Sequence, residues 1–474
     1  MRPLLLASLC VSPLLTGVAS ALPKQDEAVV SYDGYKVHRI NTLGRTSAIR
    51  EQLATGLSSY EQWHEDAGHL DVLIAPDEAA AFKGLGLDYR VMHENLGTSI
   101  SAESSASDKK EGKIKRQSDP LAWFDSYHNY EDHIQYFRDL HATFPNNSEM
   151  VSSGQSYQGR DIFGLHLWGS GGPGTKPAVL YHGTVHAREW IAAPVVEYIT
   201  LQLIRGYNAG DNQTKSFLDQ YDYYIFPFVN PDGFIYTQTT DRLWRKNRQP
   251  PPSDSTNTTT CLGRDINRNW EAGWDSNPRG SSTNPCSQTY RGAKPGDAPE
   301  NAGLDAFVRK VRDKQGIKLY IDWHSYGQLL LFPFGYAETL YAPELGKWTK
   351  AASMVSEAIR DASNTSTTYT FGPSGATLYA TSGSAPDHVY SVGRAEWSFT
   401  IELRDTGRFG FVLPQDQIRP AAEEMWEGQK VLFSLLDETF FDGVGAAQVY
   451  KEVGGCFLGG MPAERRLGQI VPKA

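Results

Sequence analysis

Tyr181-His182-Gly183-Thr184-Val185-His186-Ala187-Arg188-Glu189-Trp190 stands where two patterns meet. The apolar run from Ala178 to Tyr181 reads as a buried strand, and Trp190 to Arg205 reads as a helix. A strand-to-helix transition here puts His186 and Glu189 side by side at the edge of a sheet, facing out. An imidazole and a carboxylate held in this way can supply two of the three protein ligands of a catalytic zinc, leaving a position for water. Taken alone the spacing is a weak signal, because about half a chance H-x-x-E match is expected at this composition. A second match, His128-Asn129-Tyr130-Glu131, reads as a solvated helix start.

What strengthens the first match lies downstream, at the ends of other apolar runs. His324 closes Leu319-Tyr320-Ile321-Asp322-Trp323, where a third ligand or a satisfied core histidine would sit. His182 is a rival ligand, but residues four apart on a strand are separated by about 13 Å, too far to share one ion. Glu402 is the one acid within Phe399-Thr400-Ile401-Glu402-Leu403, so it is either paired with a base such as Arg404 or placed to take a proton from water. In Asp265-Ile266-Asn267-Arg268, the guanidinium of Arg268 has the shape to hold a carboxylate bidentately. Arg242 and Arg245 could polarise a carbonyl and stabilise an oxyanion, or simply be solvated.

The 474 residues allow more than one domain and a large core. With 24 Tyr, 11 Trp and 21% charged residues, wholesale disorder is excluded. A net charge of −10 offers no basic stripe for nucleic acid. Arg2, the apolar run Leu4 to Val18 and then Ala19-Ser20-Ala21 read as a secretory signal peptide over 1–21. No later segment reaches about 18 uninterrupted apolar residues, so no membrane span is expected and the mature chain should be soluble and secreted. Cys10 leaves with the signal, and Cys261, Cys286 and Cys456 remain. The first two flank one loop, whose closure would contribute about 3–4 kcal/mol, and Cys456 has no assigned partner.

Residues 22–96 read as a small α+β unit with strands near Tyr35–Ile40, Tyr60–Glu65, His69–Ala75 and Asp88–His93. Helices are expected over Ser47–Leu57 and Asp77–Leu85, and His64, His69 and His93 read as surface or packing residues. From 97 to 118 the chain turns to Ser, Glu, Lys and Asp, the composition of a disordered linker. It ends at Lys115-Arg116, where a processing protease would cut an exposed segment. Strand and helix signals then alternate through 119–440, which argues for an α/β sheet layered with helices. Long loops interrupt it, above all Gln249 to Asn301, and sequons stand at Asn146, Asn212, Asn257 and Asn364. The tail over 441–474 has no assigned role.

Taken together, H-x-x-E, Arg245, Asn267-Arg268, His324-Ser325-Tyr326, Tyr379 and Glu402-Leu403-Arg404-Asp405 resemble the zinc metallocarboxypeptidases of the carboxypeptidase A/B family. The resemblance spans about Tyr127 to Leu436 and includes Leu243-Trp244-Arg245-Lys246, Asn267-Arg268-Asn269-Trp270 and Leu403-Arg404-Asp405-Thr406-Gly407. It implies a mixed, mostly parallel central sheet with helices on both faces, preceded by a ferredoxin-like inhibitory pro-domain. It implies one zinc held by His186, Glu189 and His324, with Glu402 as general base and Arg245 stabilising the oxyanion. Asn267, Arg268 and Tyr379 would anchor the substrate's terminal carboxylate, while Arg188 and Tyr326, with Ser325 nearby, line the subsites before the cut. Asp265 would orient the first zinc histidine, and Cys261–Cys286 match the family's disulfide. The partners implied are peptide or protein C-termini and a processing protease; a monomer is expected.

In the resemblance, the floor of the pocket for the last side chain falls within Ser384-Ala385-Pro386-Asp387. Enzymes of the B type place an acid where this chain has Pro386, so an apolar floor and hydrophobic C-terminal residues are expected. Asp387, one position later, is not counted as a selector, because A-type members also carry an acid there. A deacylase on the same scaffold would leave Arg268 and Tyr379 without a carboxylate to hold, and a non-catalytic binding protein would be expected to lack a ligand or the base.

Overall fold

The computed structural model describes residues 28–66, 68–104, 119–252, 261–437 and 469–470. The signal segment, Lys115-Arg116, Asn257, Cys456 and nearly all of the tail lie outside them. The first unit runs β1 (Lys36–Asn41), α1 (Thr46–Gly56), β2 (Glu61–Glu65), β3 (His69–Ile74), α2 (Ala79–Gly84) and β4 (Tyr89–His93). Its strands lie in the order β2-β3-β1-β4, every pair antiparallel, the arrangement of a ferredoxin-like unit. Ile40, Leu53, Val72 and Phe82 close a small core of its own.

The stretch read as a linker from Gly97 begins as a helix, α3 (Leu96–Ser104). Local composition missed it because its support is tertiary: Leu96 and Ile100 pack with Leu243, Tyr326 and Phe411 of the second unit. Glu103, 2% exposed, is held bidentately by Arg242 at 2.6 and 2.8 Å.

The second unit opens with α4 (Tyr130–Thr143), whose first turn Asn129 caps by accepting from the Asp132 N–H. Next come β5 (Ser148–Gln155), β6 (Asp161–Leu167), β7 (Ala178–Gly183), α5 (Ala192–Ala209), α6 (Asn212–Gln220), β8 (Asp222–Phe226) and α7 (Pro231–Thr239). After a long loop follow α8 (Pro299–Gln315), β9 (Ile317–Ser325), β10 (Leu329–Phe332), β11 (Leu340–Tyr341) and α9 (Leu345–Ala362). The last elements are β12 (Thr370–Pro373), α10 (Ser374–Thr377), α11 (Ala385–Ser391), β13 (Trp397–Leu403), α12 (Ile418–Ser434) and β14 (Gln469–Ile470). β14 pairs in parallel with β11.

Eight strands form the main sheet in the order β12-β10-β13-β9-β7-β8-β6-β5. The four inner strands, β13 to β8, are parallel, and the antiparallel pairings lie outside them. Parallel strands are covered on both faces and so become apolar on both. In β7 all six residues are buried. Val179 and Tyr181 meet Val195 and Ile199 of α5 and Met425 of α12, while Ala178 and Leu180 meet Leu304 and Val308 of α8 on the other side. Cys261 and Cys286 are joined in a disulfide within the long loop. Asn146, Asn212 and Asn364 are exposed, and among the described residues no helix is long and apolar enough to cross a membrane.

Candidate active site

The functional side chains gather where the inner strands end. After Gly183 the chain turns sharply: a Cβ there would come within 3.0 Å of the Pro227 carbonyl. Thr184 follows in the left-handed region at φ 53°, with its hydroxyl donating to that same carbonyl at 2.8 Å. The ligand loop is then tied to Arg245, because the Ala187 N–H donates to the Arg245 carbonyl at 3.0 Å. α5 starts at Ala192, two residues after Trp190, so the loop from His186 to Glu189 is a turn.

His186 Nδ1 lies 2.8 Å from Glu189 Oε1, and His324 Nδ1 lies 2.9 Å from Glu189 Oε2. The two ring nitrogens face each other at 3.1 Å. One ligand atom from each of these three buried residues lies within 4.8 Å of the others. Two imidazole nitrogens and a carboxylate turned toward one point are the donor set of a zinc site with an open position. Each ring is backed by an acid: His186 Nε2 lies 3.2 Å from Asp265, and His324 Nε2 lies 2.8 Å from Asp322. Asp265 in turn binds Arg245 through Nε at 3.1 Å and Nη2 at 2.8 Å. His182 points elsewhere, with Nδ1 3.1 Å from the Tyr320 hydroxyl.

Burial opposes charge on Glu189, yet the facing rings of His186 and His324 hold it well below the carboxylate range. Burial opposes the charge of His324 as well, and Asp322 and Glu189 raise it well above an ordinary histidine. Glu402 behaves in the opposite way. Burial pushes it up to about 8, with His324 drawing it down and Glu189 pushing it further up. The strand register sets Glu402 on β13 directly beside His324 on β9. Its carboxylate has no hydrogen-bond partner among the described residues, and Arg404 is taken by Glu424 at 2.6 Å. A carboxyl this close to neutral pH, beside the three converging ligands, is suited to proton transfer.

The same cleft is lined by Arg245, Asn267, Arg268, Ser325, Tyr379 and Pro386. Arg268 is 3% exposed; one N–H goes to the Asn267 carbonyl at 2.8 Å, and its buried Nε has no partner among the described residues. An unpaired buried guanidinium edge calls for an anion. The Asn267 amide is engaged already, accepting from the Ala385 N–H at 2.8 Å and lying 3.1 Å from His324 Nε2. Asp387 is buried and spent on the N–H groups of Gly335 and Tyr336, although burial lifts it to about 6.

Arg188 and Tyr326 are covered by the first unit. Arg188 is paired with Glu61 of β2 and stacked on Phe411, 4.0 Å from the ring centre. The Tyr326 hydroxyl donates to Asp71 of β3 at 2.7 Å. Trp63 and His64 of β2 line the cleft as well, with the His64 ring stacked on Tyr326. Nothing in the sequence around His64 separates it from a packing histidine. Asp322 does carry a signal in the sequence, as the lone acid in an apolar run. Of the two arginines that could serve an oxyanion, Arg242 stacks on Trp190 at 3.8 Å and is spent on Glu103, and it does not line the cleft.

The model of a family described as zinc carboxypeptidase matches residues 133–428. A metallocarboxypeptidase A-like protein of Trichophyton verrucosum is 42% identical over 440 residues, covering 91% of this chain and 99% of that one. Zinc carboxypeptidase A 1 of Anopheles gambiae is 33% identical over 437 residues, covering 90% and 95%. Among solved structures, thrombin activatable fibrinolysis inhibitor is similar with a TM-score of 0.75 at 25% identity, covering 86% of this chain and 100% of that one. Carboxypeptidase A from Helicoverpa armigera gives 0.74 at 26%, covering 86% and 98%. The converging histidines and glutamate thus sit in a chain that belongs to the zinc carboxypeptidase family and is a metallocarboxypeptidase.

Proposed function

We propose that this chain is the secreted zymogen of a carboxypeptidase that removes hydrophobic residues from peptide and protein C-termini. The carrying observation is a single cleft with the His186, Glu189 and His324 ligand atoms and Glu402 beside the buried, partly unpaired Arg268. One zinc would be held by the three ligands; when bound it supplies a Lewis acid for the scissile carbonyl and acidifies water. Glu402 takes the proton of the attacking water and returns it to the departing amine. Arg245, held in place by Asp265, offers its guanidinium to the carbonyl oxygen as charge develops there. Arg268, with the Tyr379 hydroxyl, receives the terminal carboxylate and sets which bond reaches the centre. Leu331, Phe332 and Pro386 line the cleft and offer no counter-charge to a terminal lysine or arginine.

Residues 22–96 act as the inhibitory pro-domain, placing Trp63 and His64 in the cleft and carboxylates on Arg188 and Tyr326. Cutting at Lys115-Arg116 would allow this cover to leave. The test is to cleave the purified chain there and compare release of C-terminal Phe, Leu, Lys and Glu from matched peptides, with and without a chelator. Release of Phe and Leu, abolished by the chelator, is expected. Faster release of Lys than of Phe overturns the stated preference, and activity indifferent to the chelator overturns the metal.

A further inference from the structure

The two histidines are supported unequally. Asp265 divides its carboxylate among the His186 ring, the Arg245 guanidinium and the Asn267 N–H at 2.9 Å. Asp322 is fully buried, and its Oδ2 lies 2.8 Å from His324 Nε2 in a contact that is close without being a linear hydrogen bond. Neither Asp322 oxygen has a hydrogen-bond partner elsewhere among the described residues. An uncompensated buried carboxylate is costly, so its one close cationic or N–H neighbour must hold a proton toward it. The rival for the same ring atom is the Asn267 amide nitrogen at 3.1 Å, itself a donor. A ring nitrogen cannot accept from Asn267 while donating to Asp322, so one of the two decides the tautomer.

Resting on the zinc reading of the site, we propose that Asp322 is a positioning residue. It holds His324 as the Nε2–H tautomer and thereby commits Nδ1, which faces His186 and Glu189, to the cation. The choice of Asp322 over Asn267 follows from charge: an anion accepting from N–H outweighs a neutral amide donating to bare nitrogen. The strand enforces the pairing, because Asp322 and His324 are two apart on β9 and so project to the same side. Loss of a partner of this kind typically costs 10–100-fold in metal affinity.

The test uses the full chain and zinc alone, measuring affinity at fixed pH by competition with a chelator of known strength. Urea unfolding of the metal-free proteins serves as the control for folding. Asp322→Ala should weaken zinc about 10–100-fold and Asp322→Asn by less, since the amide keeps an acceptor and loses the charge. With cobalt in place of zinc, both variants should shift the visible absorption bands, which a purely structural loss elsewhere would not do. If Asp322→Ala does not fold, the isosteric Asp322→Asn decides the matter. Variants that bind zinc within about twofold of the parent, with unshifted cobalt spectra, overturn the proposal and leave the zinc reading intact. A parent chain that does not bind zinc overturns both.

Discussion

Arg268→Ala tests the recognition of the chain end most directly. The guanidinium is 3% exposed, one of its N–H groups is spent on a carbonyl at 2.8 Å, and its Nε is buried without a partner among the described residues. A substrate carboxylate arriving there would be desolvated and would depend on that fork. Removing one partner of a buried, hydrogen-bonded ion pair costs about 3–5 kcal/mol. At about 1.4 kcal/mol per factor of ten, kcat/KM should fall by roughly two to three and a half powers of ten. Arg268→Lys keeps the charge and loses the fork, so an intermediate loss is expected. The assay compares the activated chain on an acylated dipeptide ending in free Phe with the same peptide as its C-terminal amide. The parent should cleave the acid and spare the amide, and Arg268→Ala should lose most of that discrimination while retaining its zinc. A fall of less than tenfold on the acid, or a parent that cleaves the amide as fast, refutes the reasoning and favours a deacylase.

Glu402→Gln should lower kcat by about 10²–10⁴ with little change in KM. Because burial raises Glu402 to about 8, kcat/KM of the parent should fall as pH drops through its pKa; a bound cation moves that limb below 8. The same shift acts on the metal-free protein: a raised carboxyl stabilises the fold below its unfolded value and loses that contribution as pH rises through about 8. Metal-free Glu402→Gln should therefore unfold at higher urea than the parent at pH 9 and at the same urea at pH 4, and equal midpoints at pH 9 would contradict it. Glu61→Gln with Asp71→Asn removes the carboxylates that cover Arg188 and Tyr326, so the uncut chain should gain at least about tenfold in hydrolysis of a small peptide; no gain would mean the cover is held by other contacts. Pro386→Asp should turn the preference from C-terminal Phe toward Lys by about tenfold or more, read as a ratio of kcat/KM on matched peptides.

The centre of the sheet was legible because three of the four inner strands are apolar runs ended by a chemical group. β7 leads into His186, β9 carries His324, and β13 carries Glu402, so strand and site announced one another. The outer strands were less legible. β5 is only partly buried and rich in serine, and β10 is four residues long, so neither shows a period strong enough to stand out. α3 was read as linker because its anchors, Arg242 and the Leu243–Phe411 patch, lie far away in the chain. Arg242 and Arg245 could not be told apart by composition. They stand three positions apart, yet one meets Glu103 and the other Asp265, and only the fold assigns those partners. His64 was invisible for the same reason, since its role lies in the cleft it covers.

Asp265, Asp322, Glu103 and Glu424 are each at most 2% exposed, and burying a carboxylate costs several kcal/mol even after relaxation. Stability alone would favour apolar residues in their places. What the acids share is a basic partner: the His186 ring and Arg245, the His324 ring, Arg242, and Arg404. Each acid accepts from or faces an N–H of its partner, which sets the direction of that N–H in a low-dielectric interior where the contact is strong. The cover over the cleft uses the same means in reverse. Glu61 and Asp71 approach Arg188 and Tyr326, so the first unit meets the cleft through an ion pair and a hydrogen bond. Arg188 lies between His186 and Glu189 in the chain, and the carbonyl of Arg188 accepts from Arg242 at 2.9 Å. The ligand loop is therefore held from two directions: within the second unit by the Ala187 N–H donating to the Arg245 carbonyl, and through Arg242, whose own partner Glu103 lies on α3 ahead of Lys115-Arg116.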